Sequence, residues 1–411
     1  MAAVADSTAH QPRARVALTA ALAGDPSHAY LFRGPRGSGK RAAARAFAAE
    51  LLAAASEDPE DARRRALLDP SPHPDLVWLA PTGAQHMVEE VRERVIRAAA
   101  YRPFEGGKRV FVVEAAEAMR DESQNALLKT LEEPPEFVHL ILLSSDGGGL
   151  LETVASRCQT IEFTPLPTDV LEAQLADGPE SPTPTADGSI GPTMEDTSAR
   201  RPGEVDISAR RQDEVAAAAR LAAGDLERAR LLLSAPGREL RADVESCVAA
   251  SLEGTCASAP WKGLLERAKA AGEEAEGATR EALEEEAKAG IKRSAKDTGD
   301  AAKRAGRRRR TEILTLAYEL CAAWLRDLAA VASGAEEVAF NRDRLDLLRP
   351  QAEGLVASCG GHSRPNSPTA AAARAREAAA LVQETRRGLD LNVSEELALE
   401  ALFFRLERLL A

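Results

Sequence analysis

Two short stretches hold residue types and spacings that could do chemistry. Residues 34–41 read Gly-Pro-Arg-Gly-Ser-Gly-Lys-Arg, and residues 110–117 read Val-Phe-Val-Val-Glu-Ala-Ala-Glu. The first follows the pattern G-x-x-x-x-G-K. Gly34, Gly37 and Gly39 let backbone N–H groups converge on phosphate oxygens, the following helix adds its positive end, and Lys40 would reach the terminal phosphates. The next residue is Arg41, where such loops carry Ser or Thr to ligate magnesium. A guanidinium there would be a static substitute for the metal. Two readings stay open for the loop: a phosphate site, or a turn kept because the fold needs it.

The second stretch is an apolar strand ending in Glu114. Phosphoryl transfer by this architecture uses one carboxylate to hold magnesium and another group to orient the attacking water. Glu114 could do the first. Ala115 cannot do the second, and Glu117 lies too far round to replace it. No intrinsic ATPase activity is therefore expected. A third feature, Ser156-Arg157-Cys158, follows the last long strand, and Arg157 there suits a cation delivered to a neighbouring triphosphate.

The elements that must position these groups are legible around them. Residues 14–24 read as a short helix. Ala29–Phe32 then reads as a strand leading into the loop, followed by an Ala-rich helix from about 41 to 55, and this strand–loop–helix order is what makes the loop pattern a candidate site. Further strands are expected at 75–79, 109–113, 138–144 and 160–163, with helices at 88–99 and at 122–131, the latter stopped by Pro134-Pro135. Strands alternating with helices imply a parallel sheet covered on both sides.

Composition changes after Pro165. Residues 176–206 are rich in Pro, Gly, Ser, Thr and acid, and read as a disordered insertion. Residues 270–310, almost purely Ala, Glu, Lys and Arg, read as one or two long exposed helices. Residues 357–370 read as a loop. The chain ends in an amphipathic helix with Leu399, Leu402, Phe403, Leu406, Leu409 and Leu410 on one face, capped by Asn392.

The 411 residues suggest two or three domains. A net charge of −12 argues against unaided wrapping of nucleic acid. The five cysteines are odd in number, scattered and without a CxxC pair, against both a disulfide framework and a zinc knuckle. With no secretory signal or membrane-spanning run, a cytoplasmic location is expected.

The run Ser123-Gln124-Asn125-Ala126-Leu127-Leu128-Lys129-Thr130-Leu131-Glu132-Glu133-Pro134-Pro135 resembles a helix of the AAA+ clamp-loader subunits of bacterial DNA polymerase III. So do His28–Phe32, His73-Pro74-Asp75 and Ser156–Cys158. The resemblance is strong over about 10–166, weaker over 208–235 and faint at the last helix. It implies an α/β AAA+ core with a parallel sheet at 1–166, a small helical lid at 167–236 that holds the insertion, and an all-α collar at 237–411. It implies that Arg157 is an arginine finger acting in trans, that Ser144 and Ser145 lie near the sensor 1 position, and that Arg228 lies near sensor 2. ATP would be bound weakly or not at all. Family members commonly carry four cysteines before His-Pro-Asp; residues 50–72 have none, so no zinc is expected. The implied partners are the gamma/tau and delta subunits in a hetero-pentamer and, through that complex, the sliding clamp and primed DNA. The basic run Lys303-Arg304 and Arg307–Arg310 could touch DNA or be a solvated helix face. Two alternatives remain: an active gamma/tau-like motor subunit, and an unrelated P-loop module that binds a nucleotide for regulation.

Overall fold

The computed structural model describes every residue except 70, 82–84, 146–148, 177–206, 289–294, 360–366, 389–393 and 411. The expected insertion lies outside the described residues apart from Ala176, as do Asn392 and half of the expected 357–370 loop, whose ends 357–358 and 368–370 belong to helices. In chain order the helices are α1 (Ala2–Ser7), α2 (Pro12–Ala23), α3 (Lys40–Ala53), α4 (Pro59–Leu67), α5 (Val88–Val91), α6 (Asp121–Glu132), α7 (Glu152–Ala155), α8 (Thr168–Ala176), α9 (Ile207–Leu221), α10 (Leu226–Leu233), α11 (Ala235–Glu253), α12 (Lys262–Lys288), α13 (Ala295–Ala332), α14 (Leu345–Ser358), α15 (Pro368–Gly388) and α16 (Glu395–Leu410). The strands are β1 (Ala29–Arg33), β2 (Leu76–Leu79), β3 (Arg109–Val113), β4 (Val138–Ser144) and β5 (Gln159–Glu162). They divide between two compact units, Met1–Leu166 with Leu265–Thr315, and Pro167–Leu264 with Leu316–Ala411.

The first unit is built on one parallel sheet of order β2-β3-β4-β1-β5. Alternation along each strand sorts side chains onto two covered faces. Tyr30, Phe32, Val110, Val112, Ile141 and Leu143 pack under α1, α2 and α3, where Phe47 meets Tyr30 edge-on at 4.9 Å. Leu31, Phe111, Val113, Leu140 and Leu142 pack with Leu127 and Leu131 of α6 on the other face. The strands read as unbroken apolar runs because neither face meets water. Ala makes up six of the eleven buried residues of α3, and these small side chains let it lie close over the sheet.

Three local differences from the sequence reading have physical causes. The expected helix over 88–99 is α5 followed by a π-helical stretch, Arg92–Arg97. β5 begins one residue earlier than expected, paired by Gln159 with Tyr30. Residues 270–310 form two helices that are only partly exposed. Gly272 and Gly306 face each other so closely that a Cβ on either would lie 2.8 Å from the other's carbonyl oxygen, and Ala301 and Ala302 are buried. Small residues let α12 and α13 cross here, and this stretch clusters with the sheet.

The second unit is helical. Asp225 and Ser234 cap α10 and α11 by accepting the backbone N–H of Arg228 and Gly237. Arg241 pairs with Asp343 at 2.9 Å, both side chains almost fully buried, and also donates to Asn341. Asp327 accepts from the backbone of Phe340 and Asn341. α16 buries Leu399, Leu402, Phe403, Leu406 and Leu410, with Leu409 half-buried, and Phe403 stacks on Trp261 at 6.1 Å.

Candidate functional site

The loop Gly34–Lys40 leaves the carboxyl end of β1 and enters α3, the place where ligands bind on sheets of this kind. Its backbone shape needs glycine. Gly34 has φ 154°, and a Cβ there would lie 2.2 Å from the Phe163 carbonyl oxygen. Gly39 caps α3 at φ 87°. Gln11 clamps the loop to the exit of β5: its Nε2 donates to the Ser38 carbonyl at 3.1 Å and the Thr164 carbonyl at 2.7 Å, and its Oε1 accepts from Thr164 N at 3.0 Å. The Ser38 hydroxyl is buried with no hydrogen-bond partner among the described residues.

The loop's cations are engaged. Lys40 Nζ donates to the Gly34 and Pro35 carbonyls, both at 2.8 Å, so it folds back onto its own loop. Arg36 Nη1 meets Glu312 Oε1 on α13 at 3.2 Å. Burial pushes the Glu312 carboxyl up, but Arg308, Arg36 and Arg309 outweigh it and hold it below the usual carboxylate range. Arg308 also donates to the Pro81 carbonyl at 2.9 Å, just past β2. The basic run on α13 is thus partly turned toward the sheet: Lys303 and Arg307 are exposed, Arg308 and Arg309 half-buried. A shallow cavity of about 270 Å³ lies beside these contacts, lined by Pro81, Thr279, Arg308 and Glu312 but by none of Gly34–Lys40, so it is not the phosphate cradle.

Arg41 and Glu114, set apart in sequence, meet directly. Arg41 Nε lies 2.8 Å from Glu114 Oε1, and the Trp78 indole N–H donates to that same oxygen at 2.5 Å. Arg41 Nη2 reaches Asp69 at 3.2 Å, and Asp69 in turn holds Arg45 at 2.9 Å. Arg45 lies over the Trp78 ring at 4.4 Å and Arg41 near it at 5.9 Å. Glu114 is fixed at the strand end by its N–H to the Leu79 carbonyl, 2.8 Å. Behind it, His86 Nε2 lies 2.6 Å from the Glu114 carbonyl oxygen, and burial lowers the His86 pKa. Ala115 turns the chain in a left-handed conformation, φ 47°. Glu117 follows and accepts both the N–H and the hydroxyl of Ser145 at the expected sensor 1 position.

The remaining expected residues lie elsewhere. Ser156 and Arg157 are exposed at the end of α7; Arg157 Nη2 pairs with Glu132 at the end of α6 at 2.7 Å, and Nη1 donates to the Thr153 carbonyl at 3.0 Å. Cys158 beside it is half-buried, its thiol pushed up to about 12 by burial. Arg228 belongs to the second unit, where it pairs with Glu319, itself also held by Arg386 at 2.8 Å. The structure therefore joins Gly34, Gly37, Gly39, Lys40, Arg41 and Glu114 in one site. The sequence reading missed Trp78, Asp69, Gln11 and Glu312. Only Trp78, closing a strand that must end beside β3, left a local signal.

The residues fit a phosphate group and do not fit a metal. The glycine cradle, the α3 N-terminus and the unpartnered Ser38 hydroxyl suit an anion. The position for a hydroxyl ligand carries a guanidinium instead, and the one carboxylate at the end of β3 is bonded to two N–H donors.

The parallel sheet, the loop at its carboxyl edge and the carboxylate at the end of β3, with β4 between it and β1, define a P-loop ATPase-type core. A family profile described as "DNA polymerase III, delta subunit" matches residues 11–167. The delta' subunit of DNA polymerase III from Bacillus subtilis (strain 168) is 32% identical over 161 residues, 38% of this chain and 48% of that protein. That of Pseudomonas aeruginosa is 40% identical over 149 residues, 34% and 44% respectively. The gamma/tau subunit of Mycobacterium tuberculosis (strain ATCC 25618 / H37Rv) is 35% identical over 158 residues, 38% and 27%. Over 11–167 the chain is similar to the delta' subunits of DNA polymerase III. It spans just under half the length of the two delta' relatives. No helix among the described residues is long and apolar enough to cross a membrane.

Proposed function

We propose that this chain is a non-hydrolysing subunit of a cytoplasmic clamp loader, a stationary wall beside the motor subunits. In this reading 1–166 is the AAA+ core, 167–236 the lid and 237–411 the collar through which gamma/tau-type and delta subunits join it in a hetero-pentamer. The complex opens the sliding clamp and places it on primed DNA. Hydrolysis occurs in a neighbour, and Arg157 enters that neighbour's site as an arginine finger, stabilising charge that develops on the transferring phosphoryl group.

The observation that carries the reading is the Glu114 carboxylate held by Arg41 and Trp78 and followed by Ala115. With both donors on Oε1, the carboxylate is shared with a fixed guanidinium, and Ala115 offers no group to orient water. The likeness of 11–167 to delta' subunits supports the assignment. The exposure of Arg157 supports the role in trans.

The test is reconstitution. The full chain, mixed with motor and delta subunits, should give a stoichiometric pentamer by native mass spectrometry, and alone should show no ATP turnover above buffer. Loader-like turnover by the isolated chain, or failure to enter the complex, would refute the proposal.

A further inference from the structure

We propose that Arg41 is the permanent cation of this site, and that its guanidinium alone keeps a divalent metal from entering with nucleotide. The proposal deepens the non-hydrolysing reading above by naming the residue that enforces it and the ligand class it refuses, metal–nucleotide complexes.

A magnesium ion bound with nucleotide at such a loop needs a hydroxyl ligand from the residue after the lysine and a carboxylate oxygen from another strand end of the same sheet. Here one side chain removes both. Arg41 stands at the hydroxyl position, and its Nε sits 2.8 Å from Glu114 Oε1, on the carboxylate that the metal would need. The Trp78 N–H on that same oxygen leaves it committed to nitrogen donors. A hard cation would have to strip those donors and then sit beside a fixed positive charge. The guanidinium is also steered from the other side: Asp69 takes Nη2 at 3.2 Å, Arg45 anchors Asp69 at 2.9 Å, and Arg45 stacks on Trp78 at 4.4 Å.

The rest of the cradle keeps the shape for an anion. Gln11 holds Ser38 in place, and the glycines keep their left-handed turns. Lys40 is held by hydrogen bonds to loop carbonyls, a contact that an entering phosphate would replace with a charge-assisted one. The metal half is therefore closed by a replaceable side chain. Arg41 is half-exposed and contributes nothing to the apolar core, so its exchange need not disturb the fold.

The experiment compares the full-length chain with its Arg41→Thr variant by titration calorimetry against ATP, in magnesium and in EDTA. Wild type should bind equally in both buffers or in neither. Arg41→Thr should bind ATP more tightly in magnesium than in EDTA by about tenfold or more, the ratio that 1.4 kcal/mol produces. Adding Glu114→Gln to that variant should abolish the difference. Manganese titration followed by electron paramagnetic resonance gives a second readout, with Arg41→Gln as a second variant, since removing the charge alone should let the ion bind with nucleotide. Tighter wild-type binding with magnesium, or no metal effect in either variant once circular dichroism shows it folded, would overturn the proposal. Neither result depends on Arg157 or on assembly, so failure to join a pentamer would refute the subunit role and leave this inference standing.

Discussion

The phosphate loop and the Ser156–Cys158 corner belong to one sheet unit and treat their arginines in opposite ways. At the loop the charges are tied within the unit: Arg41 to Glu114 and Asp69, Arg36 to Glu312, Lys40 to loop carbonyls. The carboxylates that hold them are themselves held by a second donor: Glu114 by Trp78, Asp69 by Arg45 and Glu312 by Arg308. At the corner Arg157 rests on one exposed carboxylate and one helix-end carbonyl. An exposed pair of this kind is worth ~0.2–1 kcal/mol, so the guanidinium leaves it at little cost. The contrast teaches that the state of a charged residue's partners, more than its presence, separates a site closed on itself from one that can be offered outward.

The largest effect tests the outward half. In the reconstituted complex Arg157→Ala should slow ATP turnover at the one affected neighbouring site by ~10³-fold, the low end of what arginine fingers supply. Its melting curve and entry into the complex should match wild type. Unchanged turnover and clamp loading would erase the difference between the two regions.

A smaller effect tests whether the loop is architecture. Gly34→Ala places a methyl 2.2 Å from the Phe163 carbonyl oxygen, a backbone atom that cannot swing aside. With left-handed strain added, the sheet unit should lose about 2–4 kcal/mol. Urea unfolding followed by amide hydrogen exchange at β2 and β3 reads this in the sheet unit itself. A neutral result would mean that the turn is not held by the fold.

The division between what was and was not legible follows range. β3, β4 and the stop of α6 at Pro134-Pro135 were readable because apolar runs and proline act locally. Glycines at 34, 37 and 39 announced a turn, and Arg41 and Ala115 announced the missing ligands. The bond from Arg41 to Glu114 was not readable, although each residue was singled out, because it depends on strand order. Asp69 lies 28 residues from Arg41, and Glu312 lies 276 residues from Arg36. Contacts of such separation leave no periodicity. The burial of 265–315 was missed for a related reason: a charged composition hides small residues, Gly272 and Gly306, that let two helices cross.

Acid should affect the two regions unequally. His73, His86 and His139 all have pKa values lowered chiefly by burial. The folded chain therefore binds fewer protons than the unfolded chain near the histidine range, so stability is complete above pH ~6.5 and falls as pH drops through the lowered values. Because His86 backs the Glu114 carbonyl, hydrogen exchange at pH 5.5 should rise around 84–90 and 114–118 before it rises at 152–158. Uniform exchange, or a melting temperature that climbs on acidification, would contradict this.

The smallest effect sharpens the contrast most finely. Glu132→Gln removes the single carboxylate that Arg157 rests on, while the Thr153 carbonyl still accepts from Nη1. Both partners are well exposed, 37% and 49%, so water screens the pair. The change should cost under ~1 kcal/mol. Turnover in the complex should stay within about twofold of wild type, because a finger that must leave Glu132 to act loses only a resting place. Asp69→Asn at the loop is the matched control: it removes one carboxylate from Arg41, which the Glu114 contact should still hold in place. If Glu132→Gln instead reduced turnover as strongly as Arg157→Ala, the carboxylate would be a positioning residue. The corner would then be as tightly organised as the loop it was contrasted with.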